Sequence, residues 1–226
     1  MKNLILTTDT LHHKFFLKNI INLAKTVIIY ETKKPKFRYK TFHKYKNQEY
    51  RYEKKFFFEN NVPFFKSKKF KDLNHKKSIE FIKKGKFDNI FCFGIGKLKS
   101  NFLLAFKSTK ILNFHGGNPC YYRGLDSLLW SIYKNDFKNL NTTLHYVNKD
   151  LDTGDIIFKK KIRLNKNDNI YKLRSINTLN IIELYKKFLK QKKIKSIKQR
   201  KIGTYYSAFP ASKIKKCIYN IKNYAN

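Results

Sequence analysis

The chain has 226 residues, enough for one medium domain that buries roughly 70% of its unfolded surface without a disulfide or structural metal. Its 51 basic and 15 acidic side chains give a net charge of +36; the basic residues are mostly Lys and come with abundant Asn, Ile, Phe and Tyr, as A/T-rich coding favours, whereas nucleic-acid recognition leans on Arg. No apolar run approaches the roughly 20 residues of a membrane span, no signal-peptide pattern opens the chain, and three cysteines without CxxC spacing (Cys92, Cys120, Cys217) argue against a disulfide framework or zinc site, so a reduced cytoplasmic protein with no membrane partner is expected.

Strand-like and helix-like segments alternate through the first half. Asn3 to Thr8 reads as a short apolar strand, and Leu11 to Ala24 as a helix with Phe15, Leu17, Ile20, Ile21 and Leu23 in helical spacing. Thr26 to Tyr30 suits a second strand, Phe37 to Asn60 a polar, aromatic helix, and Val62 to Phe65 a third strand. A helix over His75 to Lys83 leads to a buried strand, Asn89 to Phe93, which ends in the turn Gly94-Ile95-Gly96. Leu98 to Phe106 reads as a helix and Lys110 to Phe114 as a strand. This alternation predicts an α/β fold, a doubly wound, mostly parallel sheet covered on both faces.

Gly116, Gly117, Pro119 and Gly124 then mark an ordered loop, followed by a helix over Leu125 to Tyr133. Two strands, Thr142 to Val147 and Ile156 to Ile162, flank the segment Asp150-Leu151-Asp152-Thr153-Gly154-Asp155. Asp168 can cap a helix from Asn169 to Leu189. The chain is divided here into a catalytic domain over 1–190 and a basic carboxyl-terminal extension over 191–226. Residues 186–201 hold nine basic side chains and no acid, which reads as a solvated helix end with a flexible stretch.

Polar groups suited to chemistry concentrate in one region. Strand alternation puts Asn113 and His115 on one side of a strand, at its carboxyl end, where open α/β sheets bind ligands. His115 can act as acid, base or cation near neutral pH, and the Asn113 amide can donate to a developing oxyanion. Asp152 follows 37 residues later in a Gly-containing turn that can fold back over the same edge; a carboxylate there would fix the tautomer of the imidazole. The trio suggests acyl or one-carbon transfer. Residues 111–157 contain four basic and five acidic side chains, so this part of the chain has escaped the Lys excess.

Asn113-Phe114-His115, then Tyr122-Arg123-Gly124, then Leu151-Asp152-Thr153-Gly154-Asp155 together resemble the folate-dependent formyltransferase family, most strongly over residues 86–162. The resemblance implies a Rossmann-like formyltransferase fold and transfer of formyl from 10-formyltetrahydrofolate to a primary amine, without a metal. It casts Asn113 and protonated His115 as stabilisers of the oxyanion and Asp152 as the group that orients His115 and assists proton removal. It implies a folate pocket between Phe93, Gly94, Ile95 and Gly96 on one side and Asp150, Leu151, Thr153, Gly154 and Asp155 on the other, with Tyr121, Tyr122 and Arg123 at the edge of the acceptor cleft. Pro119 stands four residues after His115, where the family has proline at five, so a different loop path is expected there.

Among acceptors, the resemblance favours a nucleotide-linked amino sugar. The 36 residues after 190 are too few for the barrel-like second domain of methionyl-tRNA formyltransferases. The glycine-rich loop of the glycinamide ribonucleotide enzymes is replaced by Thr7-Thr8-Asp9-Thr10-Leu11-His12-His13-Lys14. His12, His13 and Lys14 could reach an acceptor diphosphate from a helix start, or form an exposed polar turn. Methionyl-tRNA and glycinamide ribonucleotide transfer are the alternatives within the family. A nucleic-acid-binding protein on an inactive formyltransferase scaffold is the alternative outside it, and a homodimer is compatible with each. His43, His75 and His145 lack ligand spacing; His145 is expected as a hydrogen-bonding strand residue, Trp130 as core and Cys120 as a bystander.

Overall fold

The computed structural model describes residues 1–33, 43–58, 65–165 and 168–224. In chain order the elements are β1 (Lys2–Thr7), α1 (Leu11–Ile20), β2 (Lys25–Glu31), α2 (His43–Phe57), β3 (Lys68–Phe70), α3 (Lys76–Lys84), β4 (Asn89–Phe93), α4 (Ser100–Ala105) and β5 (Lys110–His115). They continue with β6 (Tyr122–Gly124), α5 (Ser127–Tyr133), β7 (Asn141–Tyr146), β8 (Ile156–Lys161), α6 (Leu173–Lys190), β9 (Thr204–Tyr206) and α7 (Ile214–Tyr224).

Seven strands form one sheet in the order β3-β2-β1-β4-β5-β7-β8. The first five are parallel; β7 and β8 add antiparallel at the far edge. Along β1, side chains alternate between two cores. Ile5 joins Phe16, Leu17, Ile20, Phe91, Phe114 and Tyr185 beneath α1 and α6. Leu4 and Leu6 join Ile29, Ile90, Ile82 and Phe102 beneath α3 and α4. Burial on both faces is why these strands read as continuous apolar runs. The chain moves outward from β1 to β3 and then returns to the other side of β1 with β4. Strand order therefore reverses between β1 and β4, and a crevice opens there at the carboxyl ends.

The core strands lie where the pattern predicts them, with β4 matching at both ends. The first helix stops at Ile20, short of Ala24. Of the helix expected over 37–60, α2 occupies His43–Phe57, while residues 37–42, 59 and 60 lie outside the described residues, as do 62–64 of the expected third strand. The edge strand is β3 at Lys68–Phe70, whose lysines suit an edge exposed to solvent. Asn169, not Asp168, caps the turn leading into α6, accepting from Tyr171 N at 3.0 Å; Asp168 instead accepts from Asn165 N.

After α6 the chain is mostly exposed over 191–203 and then folds again. β9 pairs in parallel with β6, and Phe209, Cys217 and Ile221 are buried with Leu129 and Ile132 of α5. Trp130 is half-buried beside this cluster and donates to Ser207 O at 3.0 Å.

Candidate active site

Asn113 and His115 stand at the end of β5, on the same side, as alternation requires. The antiparallel pairing of β7 sets His145 directly opposite Asn113 and Thr143 opposite His115. A register irregularity between Leu144 and His145 marks a bulge there, a device that re-aims side chains beside functional sites. The loop between β7 and β8 then folds back over this edge and delivers Asp152, whose φ of 55° is left-handed.

The Asp152 carboxylate is buried and held from several sides. Oδ2 accepts from Gly124 N at 2.8 Å and lies 3.6 Å from His115 Nδ1. Oδ1 accepts from Asn113 Nδ2 at 3.2 Å and lies 3.4 Å from His145 Nε2. Burial alone would raise its pKa; the charge of His115 and the contacts with His145 and Gly124 outweigh it and hold the carboxyl well below the usual range.

The remaining ring nitrogens fix the proton positions. His115 Nε2 faces Tyr122 O at 2.9 Å and must carry a proton to bond a carbonyl, so a protonated ring would direct its second N–H at Asp152. His145 Nδ1 faces Tyr146 O at 2.8 Å, and its Nε2 stands between Asn113 Nδ2 at 3.3 Å and Asp152 Oδ1 at 3.4 Å. The Asn113 amide thus donates to Asp152 Oδ1 and stands beside His145 Nε2. Donating to a substrate oxygen uses its second amide proton or exchanges the bond to Asp152.

These groups open into a cleft of about 470 Å³, within the usual size of small-molecule sites. One wall is the turn after β4, Phe93, Gly94, Ile95 and Gly96. Gly94 has φ 72°, and a Cβ there would sit 2.3 Å from His13 Nε2; Gly96 N is anchored to Glu31 at 2.6 Å. Val147, Asp150 and Leu151 also line the cleft, as do Leu125 and Tyr205. Phe93, Ile95, Val147 and Leu151 give this part of the lining apolar surface that could hold a flat ring. Thr153, Gly154 and Asp155 shape this loop without lining the cleft. Thr153 closes it onto Asn148 at 2.6 Å, Asp155 O accepts from Tyr146 N, and a Cβ on Gly154 would strike Tyr146 O at 1.9 Å.

The other end is built by residues without a local sequence signal. Tyr45 and Glu49 of α2 and Arg174 and Asn177 of α6 line it. Arg174 lies 2.5 Å from Glu49 and 3.6 Å from Glu53, and Tyr45 donates to Glu49 at 3.1 Å. Burial pushes Glu49 up to about 7 despite the guanidinium. Of His12, His13 and Lys14, only His12 lines the cleft. His13 packs on Phe93, and Lys14 pairs with Asp9 at 2.8 Å. Burial and then neighbouring cations push both imidazoles well below their usual pKa, so they are neutral at pH 7. Tyr121 lies outside the cleft, and Tyr122 is buried behind His115 with its hydroxyl on Asp136. Arg123 donates to Leu151 O at 3.0 Å and Gly203 O at 2.6 Å. Among the described residues the lining carries four carboxylates and two Lys or Arg side chains, so the chain's excess positive charge lies elsewhere.

The comparisons agree with this architecture. The chain is 32% identical over 98 residues to the bifunctional polymyxin resistance protein ArnA of Wigglesworthia glossinidia brevipalpis, covering 43% of this chain and 15% of that protein. It is 31% identical over 109 residues to the methionyl-tRNA formyltransferase of Clostridioides difficile strain 630, covering 48% of this chain and 34% of that protein. These matches thus span about a third or less of the curated relatives' length. In fold it resembles the formyltransferase PseJ of Anoxybacillus kamchatkensis, solved with UDP-4,6-dideoxy-4-formamido-L-AltNAc and tetrahydrofolate, at a TM-score of 0.54 and 19% identity, covering 92% of this chain and 86% of that one. With residues 18–200 matching the formyl transferase family and Asn113, His115 and Asp152 meeting at one cleft, the chain belongs to the formyl transferase family.

Proposed function

We propose that this protein moves a formyl group from 10-formyltetrahydrofolate to the primary amine of a nucleotide-linked amino sugar in the cytoplasm. The observation that carries the reading is the convergence of Asn113, His115 and Asp152 at the base of a cleft in a member of this family. The sugar acceptor is supported by the likeness to PseJ, 86% of which is covered.

The folate supplies an activated formyl group. Phe93 to Gly96, Val147, Asp150 and Leu151 would hold its ring system. As the neutral amine adds its lone pair to the formyl carbon, the C=O pair moves to oxygen. Protonated His115 and the Asn113 amide neutralise that charge. When C=O reforms, the bond to folate N10 breaks, N10 keeps its electron pair, and the proton lost by the amine ends there. A carboxylate held as low as Asp152 is a weak base; its part is to fix His115 in orientation and charge, with water relaying the amine proton.

The test is a screen of UDP- and dTDP-linked 3-amino and 4-amino sugars, reading tetrahydrofolate release and the mass of the formylated sugar. Turnover that disappears in His115→Ala and Asp152→Ala supports the proposal. A second reading rests on the 31% identity to a methionyl-tRNA formyltransferase, so methionyl-tRNA belongs in the same screen. Formylation of the tRNA and of no sugar would replace the acceptor assignment. Folate binding with no turnover on any amine would end the catalytic reading.

A further inference from the structure

The segment after α6 returns across the site. Ile197 and Ile156 exchange backbone hydrogen bonds at 2.8 and 2.9 Å. Two residues on, the Gln199 carboxamide donates to Asp152 O at 3.1 Å and to Gly154 O at 2.7 Å, while its oxygen faces Cys120 Sγ at 3.9 Å. Gly203 N bonds Pro119 O, Thr204 N bonds Tyr121 O, and Tyr206 O accepts from Leu125 N. Arg123 completes the circuit, its guanidinium spanning Gly203 O and Leu151 O.

Two loops that must stay in register meet on this strap. One carries Tyr122 O and Gly124 N, which fix His115 and Asp152; the other carries Asp152 itself. The carboxylate is tied by its own oxygens to Gly124 and Asn113, but its main chain is left-handed, a conformation Asp adopts more readily than most residues yet one that surrounding bonds must hold. Gln199 binds the carbonyls on either side of Thr153, the place where that backbone would relax. The amide suits this role because its two N–H donors meet two carbonyls.

We infer that Gln199 is a positioning residue for Asp152, and that the strap over residues 197–206 belongs to the catalytic unit instead of trailing from it. This inference rests on the formyl-transfer reading above. Gln199 touches no reacting atom; it acts by holding the Asp152 backbone where its carboxylate meets His115 and Asn113.

The test replaces Gln199 with Met, which keeps length and removes both donors without adding a charge. Three quantities are compared with wild type: thermal unfolding, calorimetric affinity for 5-formyltetrahydrofolate, and kcat with 10-formyltetrahydrofolate and the acceptor from the screen. If the screen yields none, water serves as acceptor, giving formate and tetrahydrofolate. The expected result is kcat lower by about 10- to 100-fold, with affinity for 5-formyltetrahydrofolate within about threefold and a native unfolding profile. A purely structural role would lower unfolding temperature and leave kcat per folded molecule unchanged; kcat within about twofold of wild type overturns the inference. Should the Met variant not fold, Gln199→Asn, one methylene too short to reach both carbonyls, is held to the same criterion. A wild-type chain that neither binds 5-formyltetrahydrofolate nor turns over fails the underlying reading, an outcome distinct from an active wild type with an equally active Gln199 variant.

Discussion

Asn113 Nδ2 stands 3.3 Å from His145 Nε2 and 3.2 Å from Asp152 Oδ1, so one amide bridges the facing strand and the returning loop. His145 is thereby made a partner of the site, although it sits in the middle of an antiparallel ladder. Replacing it with Phe keeps an aromatic ring and removes both ring nitrogens. We expect kcat to fall by about tenfold or more while affinity for 5-formyltetrahydrofolate holds. Unchanged kcat in a folded His145→Phe protein would reduce that residue to packing.

The depressed pKa of Asp152 has a consequence for acid stability. Its folded-state value lies below its unfolded value of about 3.9, so its stabilising contribution is complete well above that pH and is lost as the pH falls through the lower range. Thermal unfolding of Asp152→Asn should therefore change less between pH 7 and pH 3 than that of wild type. Equal drops in both proteins would contradict the geometry around Gly124, His115 and His145.

Glu49 titrates in the opposite sense. Its folded-state pKa is raised to about 7 by burial, so the folded protein binds more protons than the unfolded one between about pH 4.3 and that value. This part of stability is complete below about pH 4.3 and declines as the pH rises through about 7. Glu49→Gln should flatten the decline, read as unfolding temperature against pH; the same slope in both proteins would mean Arg174 holds Glu49 ionised throughout.

Gly124 is required twice over. Its φ is 90°, and a Cβ would lie 2.2 Å from Tyr206 O, while its N–H binds Asp152. Gly124→Ala should cost about 1–3 kcal/mol by denaturant unfolding and lower kcat further than that loss explains. A variant with native stability and full turnover would show that β6 and β9 can part without disturbing the site.

The net charge of +36 is expected to produce binding to polyanions that is steep in salt and indifferent to sequence. Fluorescence anisotropy with duplex DNA, single-stranded RNA and tRNA should show release by about 150 mM salt for all three. Retention of one of them above that concentration would give the basic surface a purpose of its own.

The sequence was legible where a rule is local. Asn89–Phe93 is a fully buried parallel strand and appears as an apolar run, Ile90 to Phe93, opened by Asn89 and closed by Gly94. Asn113 and His115 share a side because strand alternation leaves no other choice, and Asp152 follows from its turn. β3 was missed because Lys68-Lys69-Phe70 carries no apolar period, as an edge strand need not. β6 and β9 are three residues each, and they exist through pairing between segments 82 residues apart, as in Tyr122 with Thr204. His145 could be read as a strand residue but not as the neighbour of Asn113, because register between β5 and β7 is set by the whole hairpin and its bulge. Glu49 and Arg174 come together across 125 positions, and no spacing rule spans that distance.

The strap also sets an order of assembly. The seven strands of the main sheet and helix α6 are synthesised before residue 191, and their contacts can form as the chain emerges. The bonds from Gln199 and Gly203 to the loops bearing Asp152 and Arg123 exist only after residues 199–206 have followed. The main sheet thus needs no residue beyond 190, whereas the site is closed by residues made after the loops that carry Asp152 and Arg123.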